Sequence, residues 1–127
     1  MVRRDTPEGL VKSAILDYLH VRGFFAWNNP TGAVEVRPGQ WMRFGKVGSA
    51  DIMGCLPGGR FLAIECKAER GRLSGAQRDF LNEVERLGGL AIVARSFQEV
   101  DLALRRGGYI NDGPLFSRGK EHDCQGN

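Results

Sequence analysis

The sequence predicts one mixed α/β domain in which helices pack on a central sheet. Three segments with helical spacing of apolar residues alternate with short apolar segments typical of strands. Two of these strands flank Pro57-Gly58-Gly59, which predicts a β-hairpin. A helix then connects the hairpin to the strand Leu90–Ala94, which is the crossover typical of parallel strands. The predicted order is α-β-β-β-α-β-α, in a single domain spanning residues 1–127 whose core covers about 7–106 and whose C-terminal tail, 107–127, is flexible.

The first predicted helix begins after Thr6, a favourable N-cap, with Pro7 at its first position. Its apolar residues recur at helical spacing until Gly23. Residues 24–27 then predict a short strand, and 28–32 a turn. These features place a helix and a strand ahead of the hairpin.

The segment 33–50 has a weak pattern in which glycine and basic residues alternate with apolar ones. We expect loops here, with at most one short strand, and a long basic loop in a small domain is usually functional. Two interpretations fit Trp41 and Phe44 in this segment. They stack on an unpaired base, or they pack in the core, which is the interpretation we favour.

The second half of the chain has clearer signals. Residues 51–56 and 60–67 form the hairpin, and Ser74 opens a helix in which Ser74 and Gln77 have the spacing of a capping box. The continuous apolar strand 90–94 is typical of a strand inside a sheet that is covered on both faces. A further capping box at Ser96 predicts the last helix.

Composition excludes several classes of protein. No apolar run approaches the length of a membrane span, and no signal peptide is visible, so we expect a cytoplasmic protein that does not contact membranes. Three cysteines without a CxxC spacing favour buried free thiols over disulfides or zinc, and two histidines argue against histidine-based catalysis. The net charge is +3, with basic residues concentrated in the middle of the chain. Any chemistry must therefore rest on carboxylates and lysine.

Asp51, Glu65 and Lys67 are the residues that fit such chemistry. Glu65 and Lys67 share one face of a strand, and symmetric closure of the hairpin places Asp51 opposite Glu65, with Cβ atoms about 5 Å apart. An ordinary ion pair at the sheet edge is one explanation. The other is metal-dependent phosphodiester hydrolysis, because paired carboxylates bind Mg²⁺ and a lysine can orient water.

The spacing of Asp51 and Glu65-x-Lys67 resembles the PD-(D/E)xK nuclease signature, with Ala50 where the motif has proline. A wider pattern extends this resemblance to the VRR-NUC family, the virus-type replication-repair nucleases, in its short phage and bacterial members. The pattern comprises Glu8, Asn28-Asn29-x-x-Gly32, Phe44-Gly45-Lys46-x-Gly48-x-x-Asp51 and Glu65-x-Lys67-x-x-x-Gly71-Arg72-Leu73-Ser74-x-x-Gln77. The resemblance implies a restriction-endonuclease-like fold.

The resemblance also implies the roles of the site residues. Asp51 and Glu65 are metal ligands, with the backbone carbonyl of Cys66 as a further ligand, and Lys67 is the catalytic lysine. Glu8 supplements the metal site, although a first-turn acid on the helix dipole explains it too. Gln77 matches a catalytic glutamine of the family and also fits the capping box.

Residues that flank this site are candidates for binding DNA phosphates. They are Asn29, Lys46, Arg70 and Arg72, with Ser74 first a helix cap and second a DNA contact. A solvated basic loop explains any one of the basic residues equally well.

Together, these features predict a Mg²⁺- or Mn²⁺-dependent DNA endonuclease without an organic cofactor. We expect it to act on branched or junction DNA in replication, repair or recombination, and to form a homodimer because two strands need two sites. Apolar residues of the segment 33–44 are candidates for part of the dimer interface. The alternatives are a non-catalytic nucleic-acid-binding subunit, a sequence-specific restriction-type endonuclease, and a resolvase of four-way junctions.

Overall fold

The computed structural model of the protein describes residues 6–112 and contains a four-stranded sheet, a separate two-stranded hairpin and three helices. The helices are α1 (Pro7–Val21), α2 (Gly75–Arg86) and α3 (Phe97–Arg106). The strands are β1 (Phe25–Asn28), β2 (Gly32–Arg37), β3 (Gln40–Phe44), β4 (Ile52–Leu56), β5 (Arg60–Cys66) and β6 (Leu90–Ala94). A 3₁₀ turn, Pro57–Gly59, connects β4 to β5. The predicted α/β class, the hairpin and all three helices are confirmed.

The order of strands in the main sheet is β1-β4-β5-β6. β4 is antiparallel to β1 and β5, whereas β5 and β6 are parallel and are connected through α2, as the predicted crossover requires. The prediction that Leu90–Ala94 lies inside the sheet is wrong, because β6 is an edge strand. Helices α2 and α3 pack against it, which accounts for its apolar sequence without a further neighbouring strand.

Each helix begins at the residue that the sequence predicts. Oγ1 of Thr6 accepts a hydrogen bond from Gly9 N, and Oγ of Ser74 accepts one from Gln77 N. Oγ of Ser96 accepts one from Glu99 N. These contacts satisfy amide groups that have no partner inside the first turn.

The two faces of the sheet carry cores of different size. Ile52, Ile64 and Ile92 lie side by side on one face, beneath α1 and α3, and form the larger core. On the other face α2 covers Ala63 with Leu81. On β1 and at the start of β5 this face is open, and its exposed apolar side chains include Phe25, Trp27 and Phe61. Burial of the larger core is the main apolar contribution to stability.

The prediction of loops with at most one strand between residues 33 and 50 is wrong. β2 and β3 form an antiparallel hairpin with an irregular register between Glu35 and Arg37. The irregularity and the exposure of both strands explain why no alternation of apolar and polar residues is visible. The hairpin does not pack extensively on any other helix or strand. Core packing of Trp41 and Phe44 is therefore wrong as well, since both side chains are exposed.

After α3, the described residues 107–112 pack back onto the core. Ile110 is buried, and the guanidinium of Arg105 hydrogen bonds to the carbonyl oxygen of Asp112. The rest of the predicted flexible tail, residues 113–127, lies outside the described residues. Cys66 is buried, but Cys55 is exposed, contrary to expectation. None of the helices among residues 6–112 is both long and apolar enough to cross a bilayer.

Candidate active site

Three elements bring carboxylates together at one end of the sheet. Asp51 immediately precedes β4, Glu65 lies near the end of β5, and Glu8 lies in the first turn of α1. Continuing the register of β4 and β5 outward from the pair Ile52–Ile64 places Asp51 opposite Glu65, as predicted. One carboxylate oxygen from each of Glu8, Asp51 and Glu65 lies within 4.8 Å of the other two. The structure therefore gathers three acids from distant parts of the chain into one cluster.

Backbone hydrogen bonds hold Asp51 in position. Its Oδ2 atom accepts a hydrogen bond of 2.8 Å from the amide of Cys66. Its carbonyl oxygen accepts one of 2.7 Å from the amide of Asn29. Asp51 is thus tied both to β5 and to the segment that follows β1, and one carboxylate oxygen has a fixed direction.

Glu65 is the most buried member of the cluster, with 1% of its surface exposed. Its Oε2 atom accepts a hydrogen bond of 2.7 Å from Nε2 of Gln77 and lies 3.6 Å from Nζ of Lys67. Burial and then the Asp51 carboxylate raise the pKa of Glu65 to about 8, while the Lys67 ammonium opposes this rise. Oε1 of Glu65 is buried and has no hydrogen-bond partner among the described residues.

Lys67 is also buried, with 6% of its surface exposed. Its amide donates to the carbonyl oxygen of Ala94 and so extends the pairing of β5 with β6 by one residue. Its aliphatic stem passes Gly71, where an added Cβ would lie 3.2 Å from Cδ of Lys67. The glycine at position 71 therefore leaves space for this lysine beside the carboxylates.

Gln77 has both of the contacts that its position suggests. Its side chain accepts from the amide of Ser74 at 2.9 Å, and its own amide donates to Oγ of Ser74 at 3.1 Å, which completes the capping box. The same side chain donates to Glu65. The first turn of α2 and the buried carboxylate are thereby connected.

The carboxylates of Glu8 and Asp51 open into a small polar cavity of about 160 Å³. Its lining is Glu8, Lys12, Asn29, Pro30, Thr31, Gly48, Ser49, Asp51 and Gln77. The segments before β2 and after β3 both contribute to this lining. The cavity therefore joins the acid cluster to the base of the β2–β3 hairpin.

The cluster has the chemistry of a site for a hard divalent cation. Mg²⁺ and Mn²⁺ prefer oxygen ligands, and three carboxylates converge here. The buried Oε1 of Glu65, which has no partner among residues 6–112, is an oxygen that a cation would satisfy. The side chain of Cys66 lies in the larger core, on the face of the sheet opposite Glu65, and its thiol is not in the carboxylate cluster.

Comparison with known families decides the assignment. The profile of the VRR-NUC domain matches residues 28–98, which is more than half of the chain. The chain belongs to the VRR-NUC family. It is accordingly a nuclease of the PD-(D/E)xK superfamily, and DNA is the substrate that this class implies. Neither the curated proteins nor the solved structures gave a match.

The family match begins at Asn28, so α1 of this VRR-NUC domain lies outside it. Glu8 joins the site by geometry, because the carboxylate cluster contains it. Lys12, one helical turn further along, lines the same cavity. Sequence reasoning missed Lys12, and its i,i+4 spacing from Glu8 was the available signal.

The predicted DNA-binding residues lie in different surroundings. Nδ2 of Asn29 donates to Oγ of Ser49 and to the carbonyl oxygen of Ala50, so Asn29 braces the rim of the cavity. Lys46 lines a different, larger groove of about 710 Å³ beside α2. Ser74 is exposed and caps α2.

Arg70 and Arg72 are exposed on the loop between β5 and α2. Arg95 holds this loop, because its guanidinium donates to the carbonyl oxygens of Glu69 and Gly71 at 3.4 and 2.6 Å. Sequence reasoning missed Arg95, since nothing in the sequence separates it from the other exposed arginines. The loop therefore presents its two arginines from an anchored backbone.

Proposed function

We propose that this VRR-NUC domain is a Mg²⁺- or Mn²⁺-dependent DNA endonuclease. The observation that carries the proposal is the convergence of Glu8, Asp51 and Glu65 within 4.8 Å, next to a buried lysine. Oxygen donors in this arrangement suit a divalent cation. No histidine lines the cavity among the described residues, so proton transfer falls to the lysine and the carboxylates.

The site residues have separate roles in the proposed reaction. Asp51 and Glu65, with Glu8 and the backbone carbonyl of Cys66, would hold the cation. When bound, it would offset the charge of the scissile phosphate and lower the pKa of a water molecule. Nζ of Lys67, 3.6 Å from Glu65, would orient the attacking water and stabilise the developing negative charge. The products would carry a 3′-hydroxyl and a 5′-phosphate.

Gln77 would act by positioning Glu65. Its hydrogen bond occupies Oε2 of Glu65 and leaves Oε1 for the cation. Asn29 at the rim of the cavity would contact the DNA backbone, and so would Lys46, Arg70, Arg72 and Ser74, which lie outside the lining of the cavity. Exposed arginines on an anchored loop are favourable for this because little ordering is needed on binding.

The preferred substrate in this proposal is branched or junction DNA, which is processed in the cytoplasm during replication, repair or recombination. Cleavage of both strands of such a substrate requires two sites, so we propose a homodimer. Val34, Met42 and Phe44 share one face of the β2–β3 hairpin and are exposed, which suits them to an interface between two copies. Met42→Glu should convert the dimer to a monomer in sedimentation, whereas Leu102→Glu on α3 should not.

Cleavage of labelled branched and linear DNA tests the proposed function. The wild-type protein should cleave with Mg²⁺ or Mn²⁺ and not with EDTA, and Asp51→Ala and Lys67→Ala should lose at least about 100-fold in rate. Asp51→Asn keeps a hydrogen-bond acceptor for the Cys66 amide, so it serves if the alanine variant unfolds. Asp17→Ala removes an exposed acid elsewhere on α1 and is the matched control.

Failure of the folded wild-type protein to cleave any of these substrates would contradict the proposal. If it still bound DNA, the domain would be a nucleic-acid-binding subunit. Cleavage in the presence of EDTA would contradict the role of the cation but not the nuclease activity. A fixed cleavage position that follows the base sequence on linear duplexes would instead indicate a restriction-type enzyme.

A further inference from the structure

We propose that Trp41 stacks on an unpaired base of the DNA whose backbone lies at the carboxylate cavity, with Arg43 on a neighbouring phosphate. This rests on the proposed function, since the DNA is that of the nuclease. The exposed tryptophan of the hairpin would then select substrates that offer an unpaired base, at a fork, a flap or a single-stranded overhang. Three features of the hairpin carry this proposal.

The first feature is the exposure of the hairpin. Every residue from 33 to 47 is exposed, and Trp41 keeps 64% of its surface accessible. Trp41 and Arg43 are two residues apart on β3 and therefore share one face, opposite Glu35 and Ala33 of β2. Val34 and Met42 lie on the other face. The face with Trp41 thus combines a flat aromatic ring with a guanidinium.

The second feature is the charge of this segment. Residues 29–50 contain Arg37, Arg43 and Lys46 and a single acid, Glu35. Oε2 of Glu35 accepts a hydrogen bond of 2.8 Å from the amide of Gly39, so the carboxylate is held by the hairpin turn. A positive segment with an exposed aromatic ring is complementary to a single-stranded polyanion with bases to stack.

The third feature is the position of the hairpin. The segments before β2 and after β3 both line the carboxylate cavity, and hydrogen bonds from Asn29 to Ser49 and Ala50 connect them. These two segments also pack closely at Gly45, where an added Cβ would lie 2.7 Å from Cγ2 of Thr31. The base of the hairpin is therefore fixed relative to the carboxylate cluster.

Distance along the hairpin sets the reach of Trp41. It lies three residues before Phe44, which pairs with Gly32 at the base of the hairpin. At about 3.3 Å per residue of strand, the ring is about 10 Å from that base. This corresponds to about three base steps of a duplex. Bases inside a duplex already stack on each other, so a tryptophan at this distance gains a stacking partner only where pairing ends.

Fluorescence of Trp41 tests the inference directly. The described residues contain one other tryptophan, Trp27, and Trp27→Phe leaves Trp41 as the reporter. Titration in EDTA, which prevents cleavage, would use a single strand, a forked duplex and a blunt duplex of equal length. We expect quenching of the fluorescence and tighter binding for the first two. Quenching equal to that of the blunt duplex would overturn the inference.

Substitution gives the second test. Trp41→Ala should weaken binding to the forked duplex about 5- to 100-fold, and Trp41→Phe should restore most of it. Phe25→Ala removes an aromatic side chain of similar exposure, at 70%, and should leave binding unchanged. Arg43→Gln should reduce the salt dependence of binding by about one phosphate contact, unlike Arg106→Gln on α3.

The two proposals can fail separately. Unchanged affinity of Trp41→Ala for the forked duplex would overturn the base-stacking proposal even if the wild-type protein cleaves. Conversely, loss of binding in Trp41→Ala by a protein that never cleaves would support base stacking and contradict the nuclease mechanism. Thermal unfolding of each variant separates a loss of binding from a loss of folding.

Discussion

Nε2 of Gln77 donates a hydrogen bond of 2.7 Å to Oε2 of Glu65, while the carbonyl oxygen of the same side chain accepts one of 2.9 Å from the amide of Ser74. The two contacts fix the orientation of the amide, because only its nitrogen can donate to the carboxylate. The start of α2 and the buried carboxylate are thus held by one side chain. Gln77 therefore both completes the capping box of α2 and positions Glu65.

Gln77→Ala should therefore affect both stability and cleavage. We expect a loss of about 1 kcal/mol in the free energy of unfolding, as for other lost caps, and a loss of about 10- to 100-fold in the cleavage rate. Ser96→Ala removes the N-cap of α3, whose side chain bonds to Glu99 N rather than to a carboxylate of the cluster, and should lower stability alone. Equal cleavage by both variants would show that the contact with Glu65 has no functional role.

Divalent cations should stabilise the folded protein if the three carboxylates bind them. With Mn²⁺ at about 100 times its dissociation constant, the free energy of unfolding should rise by about 2.7 kcal/mol. Asp51→Asn should abolish most of this increase, because it removes one charged ligand, and Asp17→Asn on the exposed side of α1 should not. Thermal unfolding with and without Mn²⁺ makes the measurement. An equal increase in all three proteins would place the cation elsewhere.

Gly48→Ala should be strongly destabilising. An added Cβ would lie 2.6 Å from the carbonyl oxygen of Ala76, and the backbone has a φ of +82°. Gly39 has a similar φ of +79° with nothing within 4 Å of the added atom. Gly39→Ala therefore measures the cost of the backbone conformation alone, about 1–2 kcal/mol. Chemical denaturation should show an additional loss of about 2 kcal/mol or more for Gly48→Ala.

Tyr18 should make the free energy of unfolding fall as the pH rises in the alkaline range. Burial, and then its hydrogen bond to the Asp101 carboxylate, raise the pKa of Tyr18 to about 12 from an ordinary value of 10.0. Because the unfolded chain loses the proton first, this contribution to stability is complete below pH 10 and is lost as the pH rises through 12. Tyr18→Phe should lower stability by about 1 kcal/mol at neutral pH.

The difference between wild type and Tyr18→Phe should then shrink between pH 10 and 12 in chemical denaturation. A constant difference across this range would mean that Tyr18 titrates alike in the folded and unfolded chains. The comparison needs no catalytic activity, since Tyr18 packs on Phe97 in the core and is not part of the carboxylate cluster.

The local structure of this chain follows closely from its sequence. Thr6, Ser74 and Ser96 are helix caps whose hydrogen bonds depend on residues within one turn, so they could be predicted from spacing. Closure of the hairpin at Pro57–Gly59 fixed the register of β4 and β5, and with it the opposition of Asp51 and Glu65. The first strand, Phe25–Asn28, is shifted by one residue at each end from the predicted 24–27.

The exposure of Trp41 and Phe44 could not be predicted from the sequence. Their apolar character suggested burial, but a side chain is buried only if another surface covers it, and none of the described helices or strands covers this hairpin. The position of Leu90–Ala94 at the sheet edge is a similar case, since apolar residues do not reveal whether helices or a further strand cover them.

The sequence by itself determined the helix caps, the hairpin, the parallel crossover and the Asp51, Glu65 and Lys67 pattern, because each depends on short-range spacing and hydrogen bonding. Only the tertiary structure decided that Glu8 and Lys12 share the cavity, that Gln77 reaches Glu65, and that one oxygen of Glu65 is buried without a partner among the described residues. These contacts join elements that are distant along the chain, and the packing of helices on the sheet sets their distances.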